Sequence, residues 1–222
     1  MLAKLTPLLG AKPRIFEPTA GRGALVKLLR KAFPLSYIVA NEIDRERYET
    51  LRDAGADCTT HLDLFDDVRI RRERDFDLAF TNPPFFVAQQ VAEKLITMAD
   101  HVVLLQRCNW LASLDRLEFW QRNAADLWLL PKRPSFAASL KCGREEKRGG
   151  CGWKRTQYLD DARPTRCPGE WQGAPCQARV DVSTTDSIEY AWFHFHAGSL
   201  RQYGHLARLE PARQQSLLEG GA

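Results

Sequence analysis

Hydrophobic positions along this chain alternate between a two-residue and a helical period, and the alternation predicts a layered α/β fold. Short apolar runs bounded by polar residues or prolines read as strands: Arg14 to Pro18, Tyr37 to Asn41, roughly Asp57 to Leu62, Leu78 to Phe80, His101 to Leu105, Leu127 to Leu130, and Ile188 to Phe195. Between them lie helical stretches at residues 2–9, from Ala24, from Arg45 to Ala54, and from Trp110 to Arg122. Asp44 is placed to cap the third of these helices and Gly55 to close it. Val87, Val91, Leu95 and Met98 form a further helical stripe, read as core packing. Strand–helix alternation through residue 130 predicts a doubly wound sheet. Residues 66–76 read as a charged surface connection, and the tail from Gly198 as a helix or frayed end.

Composition narrows the class. With 222 residues, 44% hydrophobic and 27% charged, the chain is long enough for one large globular domain with embellishments. No run approaches the ~20 apolar residues of a membrane span, and Met-Leu-Ala-Lys-Leu-Thr-Pro carries no long apolar core. The expectation is a cytoplasmic protein with no membrane partner, in which the six cysteines serve as thiols or metal ligands before disulfides.

Candidate chemistry gathers where strands end, because ligands of open α/β sheets bind at the carboxyl ends of the strands. Leu78-Ala79-Phe80-Thr81-Asn82-Pro83-Pro84-Phe85 runs an apolar strand into two prolines that cannot continue a central ladder. The Asn82 amide, the Pro83 carbonyl and an aromatic face then suit a planar group bearing –NH2. A plain proline-rich exit loop is the other reading. Thr19-Ala20-Gly21-Arg22-Gly23 follows the first strand and opens a helix whose N–H groups face an anionic group such as a carboxylate. Glu17, just ahead of it, argues against a phosphate there. Glu42 stands 19 residues after Gly23, placed to accept from ribose hydroxyls, and with Asp44 as the cap it is left for the ligand. Asp63 ends the third strand, either to accept from an adenine amino group or as a turn residue.

In order and spacing these residues resemble class I S-adenosylmethionine-dependent methyltransferases, and within them the amino-methyltransferases with an Asn/Asp-Pro-Pro-Tyr/Phe motif. Asn109-Trp110-Leu111-Ala112-Ser113, Leu130-Pro131-Lys132-Arg133-Pro134-Ser135-Phe136 and Thr185-Asp186-Ser187-Ile188-Glu189-Tyr190-Ala191-Trp192-Phe193 are similar to the small phage and prophage adenine-N6 DNA methyltransferases. The resemblance covers roughly residues 1–138 and 181–196. It implies a seven-stranded Rossmann-like methyltransferase sheet, S-adenosylmethionine as cofactor, DNA as partner, and methyl transfer to the exocyclic N6 of adenine in a bacterial or phage-infected cell. It further implies that Phe16, Glu17, Pro18, Thr19, Ala20, Gly21 and Gly23 wrap the methionine half of the cofactor. Glu42 would bind the ribose hydroxyls with Ile43 against the adenine ring, while Asp63 and Leu64 hold the adenine edge. Asn82 and the Pro83 carbonyl would accept from the target amine, Pro84 would keep that turn stiff, and Phe85 would stack on the target ring. An RNA base or a protein glutamine amide fits the same grip. A non-catalytic cofactor- or nucleic-acid-binding module is the alternative of a different class. Against the family, the element before the glycine loop is short and a large target-recognition domain is missing, which implies no long recognition site.

Residues 139–180 interrupt the pattern, so the expected domains are 1–138 with 181–222, and a Cys-rich insertion at 139–180. Cys142, Cys151, Cys167 and Cys176 are separated by eight, fifteen and eight residues. Four such ligands would hold a structural zinc and explain how a small insert folds, although zinc-ligand pairs are usually closer in sequence. Unligated thiols and disulfides remain open. His194 and His196 are alternative ligands or packing residues, and Cys58 and Cys108 read as core. The insert has nine Lys/Arg and five Asp/Glu, a net +4 that equals the charge of the whole chain. With Trp153, Tyr158 and Trp171 interspersed, it suits a flap that contacts nucleic acid, or simply a solvated loop.

Overall fold

Leu78, Ala79 and Phe80 are buried because their strand lies in the middle of a sheet. That strand, β4 (Phe76–Thr81), pairs in parallel with β1 (Arg14–Glu17) on one side and β5 (Ala99–Arg107) on the other. A strand covered on both faces needs a continuous apolar run, and this one has it. The computed structural model describes residues 1–66, 75–131, 137–143, 151–158, 164–183, 188–196 and 206–208. They form two units, Met1–Pro131 with Glu189–Ala222, and Lys132–Ile188. The units divide a few residues outside the 139–180 limits expected for the insertion.

In the first unit, β2 (Tyr37–Asn41) and β3 (Cys58–Thr60) extend the sheet beyond β1 in parallel. On the other side β12 (Tyr190–His196) runs antiparallel between β5 and β6 (Asp126–Leu129). The order 3-2-1-4-5-12-6 makes the expected doubly wound, Rossmann-like sheet of seven strands, with its antiparallel member supplied by the last long strand. A short eighth, β13 (Leu206–Arg208), adds in parallel to β6. It falls in the tail that the sequence reads as a helix or frayed end, where no periodicity signals a strand. The rest of that tail, residues 67–74 of the charged connection, Lys132 to Phe136 and Thr185 to Ser187 lie outside the described residues.

Helices α1 (Leu2–Leu5), α2 (Ala24–Ala32), α3 (Arg45–Leu51), α4 (Ala88–Ile96) and α5 (Leu117–Arg122) complete this unit. Val26 and Leu29 join the core with Ile15, Ile38 and Leu78, whereas Val91, Leu95 and Met98 join that with Val102, Leu104 and Phe193. Asp44 caps α3, accepting from Arg47 N–H at 2.9 Å. That helix stops at Leu51, short of the expected Ala54, and Gly55 with φ +92° makes the exit. The single helix expected over Trp110 to Arg122 is instead two 3-10 turns, Cys108–Leu111 and Leu114–Arg116, ahead of α5. Ser113 between them is fully extended, which breaks the helical ladder. Cys58 and Cys108 are half-buried, and Cys108 packs against the core as expected. Among the described residues no helix is long and apolar enough to cross a membrane.

The second unit pairs β7 (Ala137–Cys142) with β8 (Lys154–Tyr158) and β11 (Val180–Ser183), all antiparallel, and adds a two-stranded ribbon of β9 (Glu170–Trp171) and β10 (Ala174–Pro175). Its buried core is Leu140, Cys167, Cys176 and Val180. So small an apolar core does not normally hold a fold without a staple.

Candidate functional site

The carboxyl ends of β1, β2 and β4 form one polar cluster, and the sheet register is what assembles it. β1 lies between β2 and β4, so the glycine loop, Glu42 and Asn82 all leave the sheet side by side. Glu17 is fully buried at the tip of β1. Its Oε1 accepts the Thr81 hydroxyl at 2.6 Å and the Thr19 N–H at 3.3 Å, while its Oε2 has no hydrogen-bond partner. Thr81 Oγ1 lies 2.7 Å from Thr19 Oγ1. Since the Thr81 proton goes to Glu17, Thr19 donates to Thr81, and a hydroxyl chain links the glycine loop to the residue before Asn82. Burial pushes the Glu17 carboxyl up to about 8, a shift the Glu42 charge reinforces and the Thr81 and Thr19 hydrogen bonds oppose.

Glu42 is buried too, and it is not left for a ligand in the way its sequence position suggests. Its Oε2 accepts Gly21 N–H at 2.6 Å and its Oε1 accepts Asp44 N–H at 2.8 Å. Each oxygen keeps one lone pair for a further donor. The loop N–H groups expected to face an anion are likewise largely engaged: Ala20 donates to Asn41 O at 2.8 Å and Gly23 to Ala20 O at 2.9 Å. The two glycines differ. An added Cβ at Gly21 would meet nothing within 4 Å, whereas at Gly23 it would lie 2.2 Å from Ala54 Cβ. Gly23 lets α3 approach, and Gly21 leaves open space.

Other expected contacts divide in the same way. Phe16 stacks on Phe76 in the core with ring centroids 4.9 Å apart, so only its backbone reaches the strand tip. Pro18 is buried and its carbonyl accepts the Asn41 amide at 3.1 Å. Ile43 is exposed, Asp63 accepts Phe65 N–H at 2.8 Å in a turn, and Leu64 packs in the core with its carbonyl on Lys94 Nζ. Asn41, which the sequence reading passed over, braces the region. Its Nδ2 donates to the carbonyls of Pro18 and Leu62, and its Oδ1 accepts from Thr60 and Leu62. An asparagine just before the strand-end acid was the available signal.

At the tip of β4, Asn82 Oδ1 is buried with no hydrogen-bond partner. Leaving such an acceptor unmade costs ~1–3 kcal/mol. Pro83 is buried and Pro84 exposed. The Pro84 carbonyl accepts Val87 N–H at 3.1 Å and opens the 3-10 turn Phe85–Val87. Phe85 is held from two sides: the Arg107 guanidinium lies 4.6 Å from its ring centroid and the Tyr190 ring 5.8 Å away. Arg107 Nε also donates to Tyr190 Oη at 3.3 Å. Arg107 carried no sequence motif, and the stretch that contains Tyr190 gave no sign that its ring meets Phe85. Gln106, buried on β5, has an unpartnered Nε2. Two acceptors and a donor without protein partners thus end adjacent strands.

No protein-family model matches the sequence, and no curated protein matches it. Solved structures do. A predicted O-methyltransferase from Agrobacterium tumefaciens is 15% identical and aligns over 93% of this chain and 82% of its own, with a TM-score of 0.54. The fold is that of the Rossmann-like methyltransferases. Two further similar structures align less closely. A dimethyladenosine transferase from Plasmodium falciparum is 13% identical over 88% of this chain and 60% of its own, with a TM-score of 0.45. An S-adenosylmethionine-dependent methyltransferase from Mesorhizobium loti is 20% identical over 47% of this chain and 52% of its own, with a TM-score of 0.38.

In the second unit the four cysteines converge. Their Sγ atoms all lie within 4.8 Å of one another, with Cys142 and Cys176 at 3.5 Å and Cys151 and Cys167 at 3.4 Å. A tetrahedral zinc with Zn–S of 2.3 Å has ligand edges of about 3.8 Å, so the donor set fits. The spacing differs from that of a short knuckle because the β9–β10 ribbon lies between Cys167 and Cys176, while Cys142 ends β7 and Cys151 lies ahead of β8. Gly169 sits where a Cβ would lie 2.9 Å from Trp153 Cβ and 3.1 Å from Cys151 Sγ. Gly152 and Gln177, each following a cysteine, take positive φ of 71° and 50°. Burial, with the three neighbouring thiols, raises Cys167 to about 12; metal binding would reverse this by deprotonating the thiol. Trp153 packs against this core, which weakens its reading as a nucleic-acid contact. The side chains of Tyr158 and Trp171 lie outside the described residues.

His194 and His196 belong to the first unit. They stand on β12 beside His101 and Asp126, with His101 Nδ1 3.0 Å from His194 Nε2 and His196 Nε2 3.5 Å from Asp126 Oδ2.

Proposed function

We propose that this chain is an S-adenosylmethionine-dependent methyltransferase that modifies the exocyclic N6 amine of adenine, in DNA before RNA. The observation that carries this reading is the buried Asn82 Oδ1 without a partner at the end of the central strand. An acceptor in that state calls for a donor from outside the protein, and an –NH2 group supplies one. The Pro83 carbonyl would take the second proton. Two acceptors on an amine conjugated to its ring favour sp3 character and stabilise the positive charge that develops on nitrogen. Phe85, stiffened by Arg107 and Tyr190, would hold the ring plane.

The cofactor supplies an electrophilic sulfonium methyl. Gly21, with open space at its Cα, the unpartnered Glu17 Oε2 and the remaining lone pairs of Glu42 would hold it, with Ile43 exposed beside them. Alignment of the amine with the methyl can lower the barrier by about 7–11 kcal/mol. An aromatic tip favours a nucleobase over a glutamine amide: Phe86, next to Phe85, is 85% exposed. A base drawn from a duplex must leave its stack, and exposed rings help to offset the loss. The second unit is read as a zinc module whose exposed Lys141, Lys154, Arg166 and Arg179 add phosphate affinity.

Incubating the protein with labelled S-adenosylmethionine and unmethylated DNA, RNA or a protein extract tests this. Label recovered as N6-methyladenine from DNA is the expected result. Label in RNA or protein would reassign the substrate, and cofactor binding without transfer would favour a non-catalytic binding module.

A further inference from the structure

Glu17 poses a problem that methyl transfer leaves unsolved. A carboxylate with no exposed surface is costly unless its charge is paired, and no salt bridge reaches Glu17 among the described residues. The groups facing it are Thr19 from the loop, Thr81 from β4 and Glu42 from the end of β2, and the last of these is a like charge. If the carboxyl is neutral instead, its proton can lie on Oε1 and be donated to Thr81 Oγ1, and Oε2 is still left an acceptor without a donor. Neither protonation state is satisfied by the protein alone. A cation arriving at Oε2 would satisfy the ionised form, and Thr81 and Thr19 already solvate Oε1 for it.

We propose that Glu17 carries a proton in the ligand-free protein and releases it to solvent when the cationic methionine half of the cofactor binds. This rests on the methyltransferase reading above and adds to it a one-proton coupling between cofactor binding and pH. The O–H bond of the carboxyl breaks, the proton passes to buffer, and the carboxylate pairs with the incoming cation. That cation is either the ammonium, present in both S-adenosylmethionine and its demethylated product, or the sulfonium, present in S-adenosylmethionine alone. In the second case the site tells charged cofactor from neutral product sulfur by its own ionisation.

The carboxyl titrates at about 8, so roughly nine-tenths of it is protonated at pH 7. Isothermal titration of the full chain with S-adenosylmethionine, in buffers of low and high ionisation enthalpy, reads proton release directly. Close to one proton per site is expected at pH 7 and almost none at pH 9. The association constant should rise about tenfold per pH unit from pH 6 to pH 7.5 and level off above pH 8. Glu17→Gln should bind with no buffer-dependent heat. Thr81→Val, which removes a hydrogen bond to the ionised form, should move the release to higher pH and serves if the first variant does not fold. S-adenosylhomocysteine separates the two sources: release with both ligands assigns the ammonium, and release with S-adenosylmethionine alone assigns the sulfonium. S-adenosylmethionine binding with identical heats in all buffers would overturn the proposal and leave the methyltransferase reading standing. Proton release that persists in Glu17→Gln would also overturn it. No binding at all would overturn both.

Discussion

The two ends of the sheet differ in the buried polar groups they leave unpartnered, although Asn41 and Glu42 at the carboxyl edge are engaged within the protein. At the carboxyl edge, Glu17 Oε2, Asn82 Oδ1 and Gln106 Nε2 are buried without partners. At the amino edge of β5, the polar groups partner one another: His101 with His194, and His196 with Asp126. Buried polar groups that find partners within the protein serve the fold, while an unpartnered one calls for an explanation of its own. We read the difference as a proposed ligand edge and a structural edge in one sheet. Trp128 Nε1 on β6 is also unpartnered, and nothing in the structure explains it.

The sharpest test of that contrast is Asn82→Ala. Since Oδ1 has no protein partner, its removal should leave cofactor affinity within a few-fold yet lower methyl transfer by about three orders of magnitude or more. Asn41→Ala should do the reverse. It breaks four internal hydrogen bonds and should lower stability by about 2–4 kcal/mol at ~1 kcal/mol each, read by denaturant unfolding. Substantial residual transfer by Asn82→Ala would remove the ligand-edge assignment.

Chelation tests a third arrangement, the four clustered thiols that we read as metal ligands. One zinc per chain is expected by elemental analysis. Its removal should make the Lys132–Ile188 unit protease-sensitive while residues up to Pro131 stay resistant. A metal-free protein with an equally resistant second unit would favour plain thiols.

Titration separates the two edges by sign. Burial, helped by the neighbouring charges of His101 and His196 and opposed by Asp126, pulls His194 down from 6.5 to about 4. The unfolded chain then takes up a proton that the folded one refuses, so stability is lost as pH falls from 6.5 toward 4, by up to about 3 kcal/mol. Glu17 works the other way. With its folded value raised from 4.5 to about 8, its contribution is present below 4.5 and is lost as pH rises through 8. Thermal melts from pH 4 to pH 9 should show both limbs. His194→Phe should flatten the acidic limb only, and Glu17→Gln the alkaline limb only. The smallest effect belongs to Phe86→Ala: at 85% exposure it should change stability by less than ~0.5 kcal/mol while raising KM for nucleic acid several-fold.

Much of the ligand edge was legible because its signals are local. Two prolines after an apolar run end a strand wherever that strand pairs, so Asn82 had to stand at a tip. Strand–helix alternation predicted the doubly wound sheet, and Asp44 capped its helix where an acid precedes an amphipathic run. Phe16 and Glu42 show the limit. Both were placed at the tip correctly, but one side chain turned into the core and the other was engaged by Gly21 and Asp44 N–H groups. Position along the chain predicts which end of a strand a residue occupies; it does not say which neighbour a side chain meets.

What the sequence determined by itself is therefore periodic and short-range: the strands, most of the helices, the glycine loop and the strand-end acids and amide. Only the tertiary structure decided which polar groups are satisfied. Thr81 reaches Glu17 across 64 residues because β4 pairs beside β1, and Arg107 reaches Phe85 because β5 lies next to β4. The four thiols converge through strand pairing within the second unit, where Cys142 ends β7 and the β9–β10 ribbon lies between Cys167 and Cys176. Hydrogen-bond partners across a sheet follow from register and strand order, which are properties of the packed chain and leave no period in the sequence.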